Sequence, residues 1–468
     1  MNRRRFLKTA LMSAACPVVG KAADAPQFNV QQFNSSIVDK QALTIQGRFG
    51  QVINGLAFQQ HALLSFAGHQ YVSWYNGKRQ VCVGRRKLPN GQWETVRFDD
   101  YEFHGNDAHD TISLGICPAD GTVHLSFDHH GDPLRYRVSK AGVATSPDET
   151  QWTSHLFGPV IHELREGHQP KVTYPRFITC PDGRLQFFYR DGRGTRRLHT
   201  YDPARGGWSA PRPIIADNGY TNYHTCYGPK NRLHLFWHWR GSGRLCYLYS
   251  SDKGRTWRKN DGEIVLREND GKAVGKKDMH KVTVLGSSSA TFMMLGGQYI
   301  DSKGRPHEIV WHIPDGVQAQ DFEHDWQEWG RPQARYHHYW RDHQGTWHSN
   351  ILPGPVGSRA KILLDSKNNA YAVYTVNKTD DWDWQIYFSQ GELVIATATA
   401  ASGWTDWKII HREPGPFLNE MLFDDSRWRS DGVLSLLAQN SPNSPGESTI
   451  LRVLDLKIED VPLGNDRD

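Results

Sequence analysis

Three stretches share one plan: DTISLGICPADGTVHLSFDHHGDPLRYRVS (110–139), FITCPDGRLQFFYRDGRGTRRLHTYD (177–202) and TCYGPKNRLHLFWHWRGSGRLCYLYSSD (225–252). Each reads as a strand, a Gly- or Asn-containing turn, and an apolar strand ending in His, Arg or aromatic residues. A second turn, a third strand and a Trp-marked loop complete the unit. Weaker copies occupy about 54–98, 281–350, 359–411 and 417–458. Trp93, Trp152, Trp208, Trp257, Trp347 and Trp404 punctuate the units at roughly fifty- to sixty-residue intervals, and the long gap before Trp347 implies an insertion around 300–345. Small sheets repeated at this period are the mark of a β-propeller, because each sheet has two apolar faces that only neighbouring blades can cover. The length accommodates seven four-stranded antiparallel blades, an all-β fold. Residues near 30–50 are expected to add an outer strand to the last blade and lock the ring.

Ser250-Ser251-Asp252-Lys253-Gly254-Arg255-Thr256-Trp257 matches the Asp-box pattern S-x-D-x-G-x-T-W. In such a turn the Ser and Asp side chains bind turn amides and the Trp packs between strands. It supports the architecture and is silent on function, since enzymes and non-enzymes share it.

The composition agrees. The 468 residues include 17 Trp, 18 Tyr, 19 Phe and 43 Gly, and long apolar stretches of helical period are scarce. The formal charge of +5 belongs to the amino terminus. Residues 1–23 carry Arg3, Arg4, Arg5, Lys8 and Lys21 without an acid, and the remainder holds 50 basic and 50 acidic side chains. Net charge therefore gives no support to nucleic-acid binding, and any preference for a polyanion must come from local clusters. Asn2-Arg3-Arg4-Arg5-Phe6-Leu7-Lys8, a short apolar stretch to Gly20, and Ala22-Ala23 resemble a twin-arginine export signal. Residues 1–23 are thus expected to be a cleaved leader, and 24–468 a single propeller domain exported to the periplasm or beyond. Cys16 lacks the upstream Leu of a lipoprotein site, and no segment is long enough to span a membrane. Cys82, Cys117, Cys180, Cys226 and Cys246 are too widely spaced for a disulfide framework. A monomer is expected.

Polar residues recur where strands emerge. His109 precedes the first strand of its blade, Tyr174 and Arg176 hold the equivalent point one blade on, and Tyr223-His224 the next. Second strands end in Asp128-His129-His130, Tyr189-Arg190 and Trp237-His238-Trp239-Arg240. A ring would bring these groups to one pore mouth. Of the two adjacent imidazoles only one should face a substrate, because neighbours on extended backbone point to opposite sides. Spacing favours His129.

On N-D-A-H-D-T (106–111), F-D-H-H-G-D (127–132), V-T-Y-P-R-F (172–177) and F-Y-R-D-G-R (188–193), the chain resembles the seven-bladed ulvan lyases, which are related to proteins with BNR repeats. The resemblance covers the chain beyond the leader. It implies β-elimination in an anionic polysaccharide, a sulfated polymer of rhamnose with glucuronate or iduronate, with His109, His129, Tyr174 and Arg190 as the catalytic set. The chemistry is coherent. Removing the C5 proton of a uronate puts charge on the carboxylate, which Arg190 and His129 would hold. His109 has a suitable pKa for a base and Tyr174 suits the acid that protonates O4. In glucuronate the proton and leaving oxygen share a side, so Tyr174 would serve as base and then acid. In iduronate they oppose, which suits His109 as base and Tyr174 as acid.

His130, Arg176, Tyr189, Tyr223 and Arg240 are candidate sugar- and sulfate-binding groups. Catalysis needs no cofactor on this reading. Taking Pro229-Lys230-Asn231 and Gly241-Ser242-Gly243 as turns sets Cys246 opposite His238 with His224 diagonal to them, and His280 would complete a structural zinc site. A sialidase is disfavoured because no early R-I-P segment occurs. A propeller glycosidase cutting rhamnose–glucuronate linkages and a non-catalytic glycan-binding propeller remain as rivals.

Overall fold

The computed structural model describes residues 27–47, 50–57, 59, 61–192, 194–216, 223–239, 244–278, 280, 283–286, 294–314, 331–376, 391–418 and 420–461. The expected leader, and Arg240 with it, lie outside these. Seven antiparallel sheets form the blades of a seven-bladed propeller. Their innermost strands are Leu63–Phe66, Ser113–Cys117, Lys171–Thr179, Tyr223–Tyr227, Met294–Ile300, Lys361–Leu364 and Leu422–Phe423. The extra length of blade 5 separates its strands Pro306–His312 and Arg335–Arg341, and 315–330 within it are outside the described residues. Among the described residues no helix is long and apolar enough to cross a membrane, and the five cysteines there are unbridged.

Blade strands are buried on both faces, which is why they read as apolar runs instead of alternating ones. Where inner strands converge, side-chain volume is limiting. A Cβ on Gly115 would sit 2.4 Å from Phe177 Cβ in the next blade, and one on Gly228 2.4 Å from Ile300 Cγ2. Between blades 2 and 3, His124 is enclosed by the rings of Tyr136, Phe177, Tyr201 and Trp208. The Asp box of blade 4 has the expected form. Ser250 Oγ donates to Asp252 Oδ1 at 2.7 Å, Asp252 Oδ1 accepts the Thr256 amide at 2.8 Å, and Trp257 is fully buried.

The ring closes through Gln27–Ala42, which pairs antiparallel with Thr449–Val461 as the outer strand of blade 7. Asp455 fastens this joint. Its buried carboxylate accepts from Asn34 Nδ2 of the closing strand (2.8 Å), Ser435 Oγ (2.7 Å), Arg427 Nη1 of the helix 425–431 (2.7 Å) and Arg86 Nη2 of blade 1 (2.9 Å). Burial alone would raise its pKa. The guanidinium of Arg86 and the other donors prevail and hold it below the usual carboxylate range. Its contribution to stability is therefore present above the unfolded pKa and is lost as pH falls. Asp424 makes a parallel tie, capping the same helix and accepting from Ser65 and Gln70 of blade 1.

Removing one partner from a buried ionic network leaves the others unpaired at a cost of about 3–5 kcal/mol. Asp455→Ala should lower stability by about that much, measured by chemical denaturation at pH 7, because Arg86 and Arg427 lose a shared counter-charge. A loss under about 1 kcal/mol would mean that strand pairing alone closes the ring.

Candidate functional site

The site is built at the end of blades 2 and 3 where first strands begin and second strands finish. The loop before Ser113–Cys117 carries Asp107 and His109. A tight local turn sets them, with the His109 amide donating to Asp107 Oδ1 at 2.9 Å. After Thr122–Ser126 the chain leaves the sheet, Asp128 adopts a left-handed backbone (φ 60°), and His130–Pro133 pairs across to blade 3 with His130 opposite Thr173. That bridge places His130 beside the start of Lys171–Thr179.

Asp107 orients two imidazoles at once. His109 Nδ1 lies 2.5 Å from its Oδ1 and His130 Nδ1 2.7 Å from its Oδ2, and the rings stack with centroids 4.1 Å apart at 17°. Burial opposes ionisation of Asp107, but the two imidazole hydrogen bonds outweigh it and hold the carboxyl well below its ordinary pKa. An ionised Asp107 can only accept, so both Nδ1 atoms carry hydrogen and both Nε2 atoms point away from it. Burial lowers the pKa of His109, the Asp107 bond partly offsets this, and the charge of His130 lowers it further. His109 is thus neutral near pH 7.

Tyr174 faces this pair, its ring centroid 5.8 Å from that of His109, and Arg190 Cζ lies 5.0 Å from the Tyr174 ring. Arg190 Nη2 donates to Thr173 Oγ1 at 3.0 Å. Register slips between Thr173, opposite Arg190, and Arg176, opposite Phe188, so Tyr174 and Pro175 form a bulge. Tyr174 has φ 54°, a conformation costing a non-glycine residue about 1–2 kcal/mol. Tyr223 of blade 4 holds it, donating from its hydroxyl to the Tyr174 carbonyl at 2.5 Å and to that of Phe188 at 3.1 Å.

Of the residues singled out from sequence, His109, Tyr174, Arg190 and His130 converge here. His129 does not. It is fully buried, its Nε2 accepts the Arg135 amide at 2.8 Å, and burial drives its pKa well below the ordinary value. Alternation does not hold across these two histidines because the left-handed Asp128 breaks the extended run. Tyr189 is also corrected: it points to the other face of its strand from Arg190, is fully buried, and stacks on Phe187 and His199 between blades. Tyr223 supports the Tyr174 backbone and has no exposed surface. Arg176 lines a small axial cavity of about 70 Å³ with His224 and Lys361, and donates to the Ala57 carbonyl at 3.2 Å. Burial lowers its pKa to about 10 and that of Lys361 to about 7.

The expected zinc tetrad is not formed. Cys246 lies opposite Trp237, and His238 opposite Leu245, one residue from the assumed register. A one-residue slip flips every side chain, so Cys246 faces away from His238. His224 Nδ1 meets Glu308 Oε1 at 2.8 Å, and His280 is exposed. Among the described residues the one His/Cys/Asp/Glu group with ligand spacing is Asp107, His109 and His130, whose close atoms are joined by the hydrogen bonds above. Asp107, which joins the two imidazoles, is the residue of this group that the sequence did not single out. Its signal was an Asp two positions before His109, the spacing of a self-bonding turn.

Residues 69–353 match the model of the BNR repeat-containing family. The chain belongs to that family. An ulvan lyase, long isoform, from Alteromonas sp. (strain LOR) is 27% identical over 189 residues, 32% of this chain and 19% of the relative. The short isoform from the same strain is 28% identical over 189 residues, 31% of this chain and 36% of the relative. The match thus spans about a fifth to a third of these relatives. Among solved structures, polysaccharide lyase Uly1 superposes with a TM-score of 0.68 at 18% identity, covering 91% of this chain and 99% of that one. A PL25 ulvan lyase bound to -[GlcA(1-4)Rha3S]- superposes with a TM-score of 0.62 at 15% identity, covering 89% and 95%. At these identities the structural likeness carries the fold.

Asp110, buried and donating its amide to the Asp107 carbonyl at 3.1 Å, has a pKa that burial, and then the charges of Asp128 and Asp107, push up to about 8. A carboxyl with a raised folded pKa binds its proton more tightly in the native state. Its stabilising contribution is complete below the unfolded pKa and declines as pH rises toward 8, by up to about 1.4 kcal/mol per unit. Asp110→Asn should therefore flatten the fall in stability between pH 5 and 8, read from denaturation midpoints against wild type. Parallel pH profiles for the two proteins would show that Asp110 ionises normally.

Proposed function

We propose that the protein is a polysaccharide lyase that cleaves a sulfated, uronate-containing, ulvan-like polysaccharide by β-elimination. The observation that carries this is the meeting of an Asp107-anchored imidazole, a phenol and a guanidinium at one cleft. The similarity to ulvan lyases over 189 residues supports the same substrate class.

Each group has a role suited to its position. Arg190 pairs with the uronate carboxylate and stabilises the charge that grows on it as C5 loses its proton. His109, neutral and presenting Nε2, takes the proton when it lies opposite the leaving oxygen, as in iduronate. Tyr174 protonates O4, and on glucuronate it takes the C5 proton first. His130, the second imidazole on Asp107, contributes a hydrogen bond to the carboxylate in the place first assigned to His129. The sugar C5–H and C4–O bonds break, a C4–C5 double bond forms, and the proton leaves on the O4 of the departing chain. No metal or organic cofactor is required. An exported enzyme suits a polymer too large to enter a cell, and the twin-arginine segment of residues 1–23 fits that route.

The decisive experiment follows ultraviolet absorbance of an unsaturated uronate while purified protein acts on ulvan, gum arabic side chains and glycosaminoglycans. Growth of the band on ulvan is expected. New reducing ends without the band would identify a glycosidase, and no product at all a binding propeller.

Tyr174→Phe and His109→Ala should each lower turnover by about 10²–10⁴-fold, the usual worth of a positioned acid or base. Near-normal rates on both uronates in either variant would remove the assignment. Asp107→Asn should cost at least about tenfold and move the acid limb of the rate profile to lower pH, since it deletes the anion that raises the His109 pKa. An unmoved limb would detach Asp107 from the base.

A further inference from the structure

The end of the ring away from the cleft carries a concentration of cations that the proposed reaction does not use. Because blade strands are antiparallel, turns joining first to second and third to fourth strands lie at the end opposite His109 and Tyr174. Between blades 4 and 5 such turns set Lys230, Arg232 and Lys303 around a hollow of about 140 Å³. Lys230 and Lys303 are exposed, and the Arg232 guanidinium lies 4.6 Å from the Tyr249 ring centre. The acids nearby are turned into their own loops. Asp301 binds Arg305 Nε at 2.6 Å and the amides of residues 303 and 305, while Asp342 takes the Thr346 amide and His348 Nε2.

The adjoining groove between blades 3 and 4, about 630 Å³, repeats the pattern. Arg205 and Arg255 project from it with side chains 87% and 68% exposed, and their contacts to Asp202 and Glu268 are loose surface pairs at 3.6 Å. Such pairs contribute little and yield readily to another anion. Outside residues 1–23 basic and acidic side chains balance, so this excess is local.

We infer that this far face is a second binding surface for sulfated polysaccharide, separate from the cleft. The inference rests on the proposed substrate class. Seven-residue strands rise about 3.3 Å per residue, which puts the two faces about 20 Å apart. A disaccharide in the cleft cannot reach the far face, whereas a polymer, or a second chain, can occupy both. Recessed cations between blades suit sulfates spaced along a flexible chain. A membrane is a poorer fit, because the exposed large apolar side chains among the described residues, Phe33, Ile37, Ile161 and Ile351, lie on other parts of the ring.

Affinity electrophoresis in gels containing ulvan or dextran sulfate tests this. The latter bears sulfate but no uronate. The variant Lys230→Asn/Arg232→Glu/Lys303→Glu keeps a residue tolerant of the left-handed backbone at position 230 (φ 62°). It should bind both polymers at least tenfold more weakly while cleaving short oligosaccharides at the wild-type rate. Arg190→Ala should lose cleavage and keep retardation by dextran sulfate. Should the triple variant misfold, Arg205→Gln/Arg255→Gln, confined to exposed side chains, must show weakened retardation in its place. Wild-type retardation in both far-face variants, retardation abolished by Arg190→Ala alone, or retardation by duplex DNA and by neither polysaccharide would each overturn the inference. Absence of an unsaturated product would defeat the proposed reaction and leave this binding result readable by itself.

Discussion

A propeller has to join its last sheet to its first, and here one buried carboxylate holds that joint. Asp455 accepts from the closing strand, from the helix of blade 7 and from blade 1, so three parts of the ring converge on a single anion. Each donor would be costly to leave unpaired in the interior. The cleft depends on it indirectly. Loops of blades 2 and 3 can hold groups at fixed distances only if neighbouring blades cannot fan apart. A similar device acts at the axis, where Glu420 of blade 7 binds the Arg359 guanidinium of blade 6 at 2.5 and 2.8 Å and the Ala57 amide near blade 1 at 2.6 Å.

The geometry around Tyr174 adds a local constraint to this global one. Tyr174 occupies a left-handed conformation directly before Pro175, a place where sterics favour extended backbone. Such a residue persists when its surroundings over-determine it. Tyr223 supplies the determination from the next blade, while the pairing of His130 with Thr173 supplies it from the previous one. The phenol is thus aimed by three blades, although it is carried by one. That arrangement favours a site whose groups keep their spacing while substrate enters and leaves.

How far the sequence could be read follows from which signals are local. Blade repeats, the Asp box and the closing strand were legible, since each is a short pattern of strands and turns with its own physical cause. The meeting of His109, Tyr174 and Arg190 was legible because they recur in register at strand ends. The choice between His129 and His130 was not, as it turned on the left-handed Asp128, and no local pattern announces that bend. The zinc proposal failed by one residue of register between Cys246 and His238, a quantity that turn length fixes and composition does not. Tyr189 could have been placed by alternation alone, since Arg190 beside it already claimed the cleft side.

The distribution of charge connects the two faces. An enzyme acting on a polyanion gains from cations, yet cations beside the reacting carbon would also lower the pKa of its imidazole base, as His130 already does to His109. Asp107 counters that pressure from within the cleft, and a largely protonated Asp110 next to it adds no second negative charge there. On the proposed reaction, Arg190 is the clamp and further charge at the cleft is limited. Cations gathered on the opposite face can attract the polymer without disturbing the base, because at about 20 Å their field is screened well beyond one Debye length. Separating capture from chemistry in this way follows from the electrostatics of proton abstraction beside an anion, and the propeller, with two ends built from different turns of the same blades, provides the room for it.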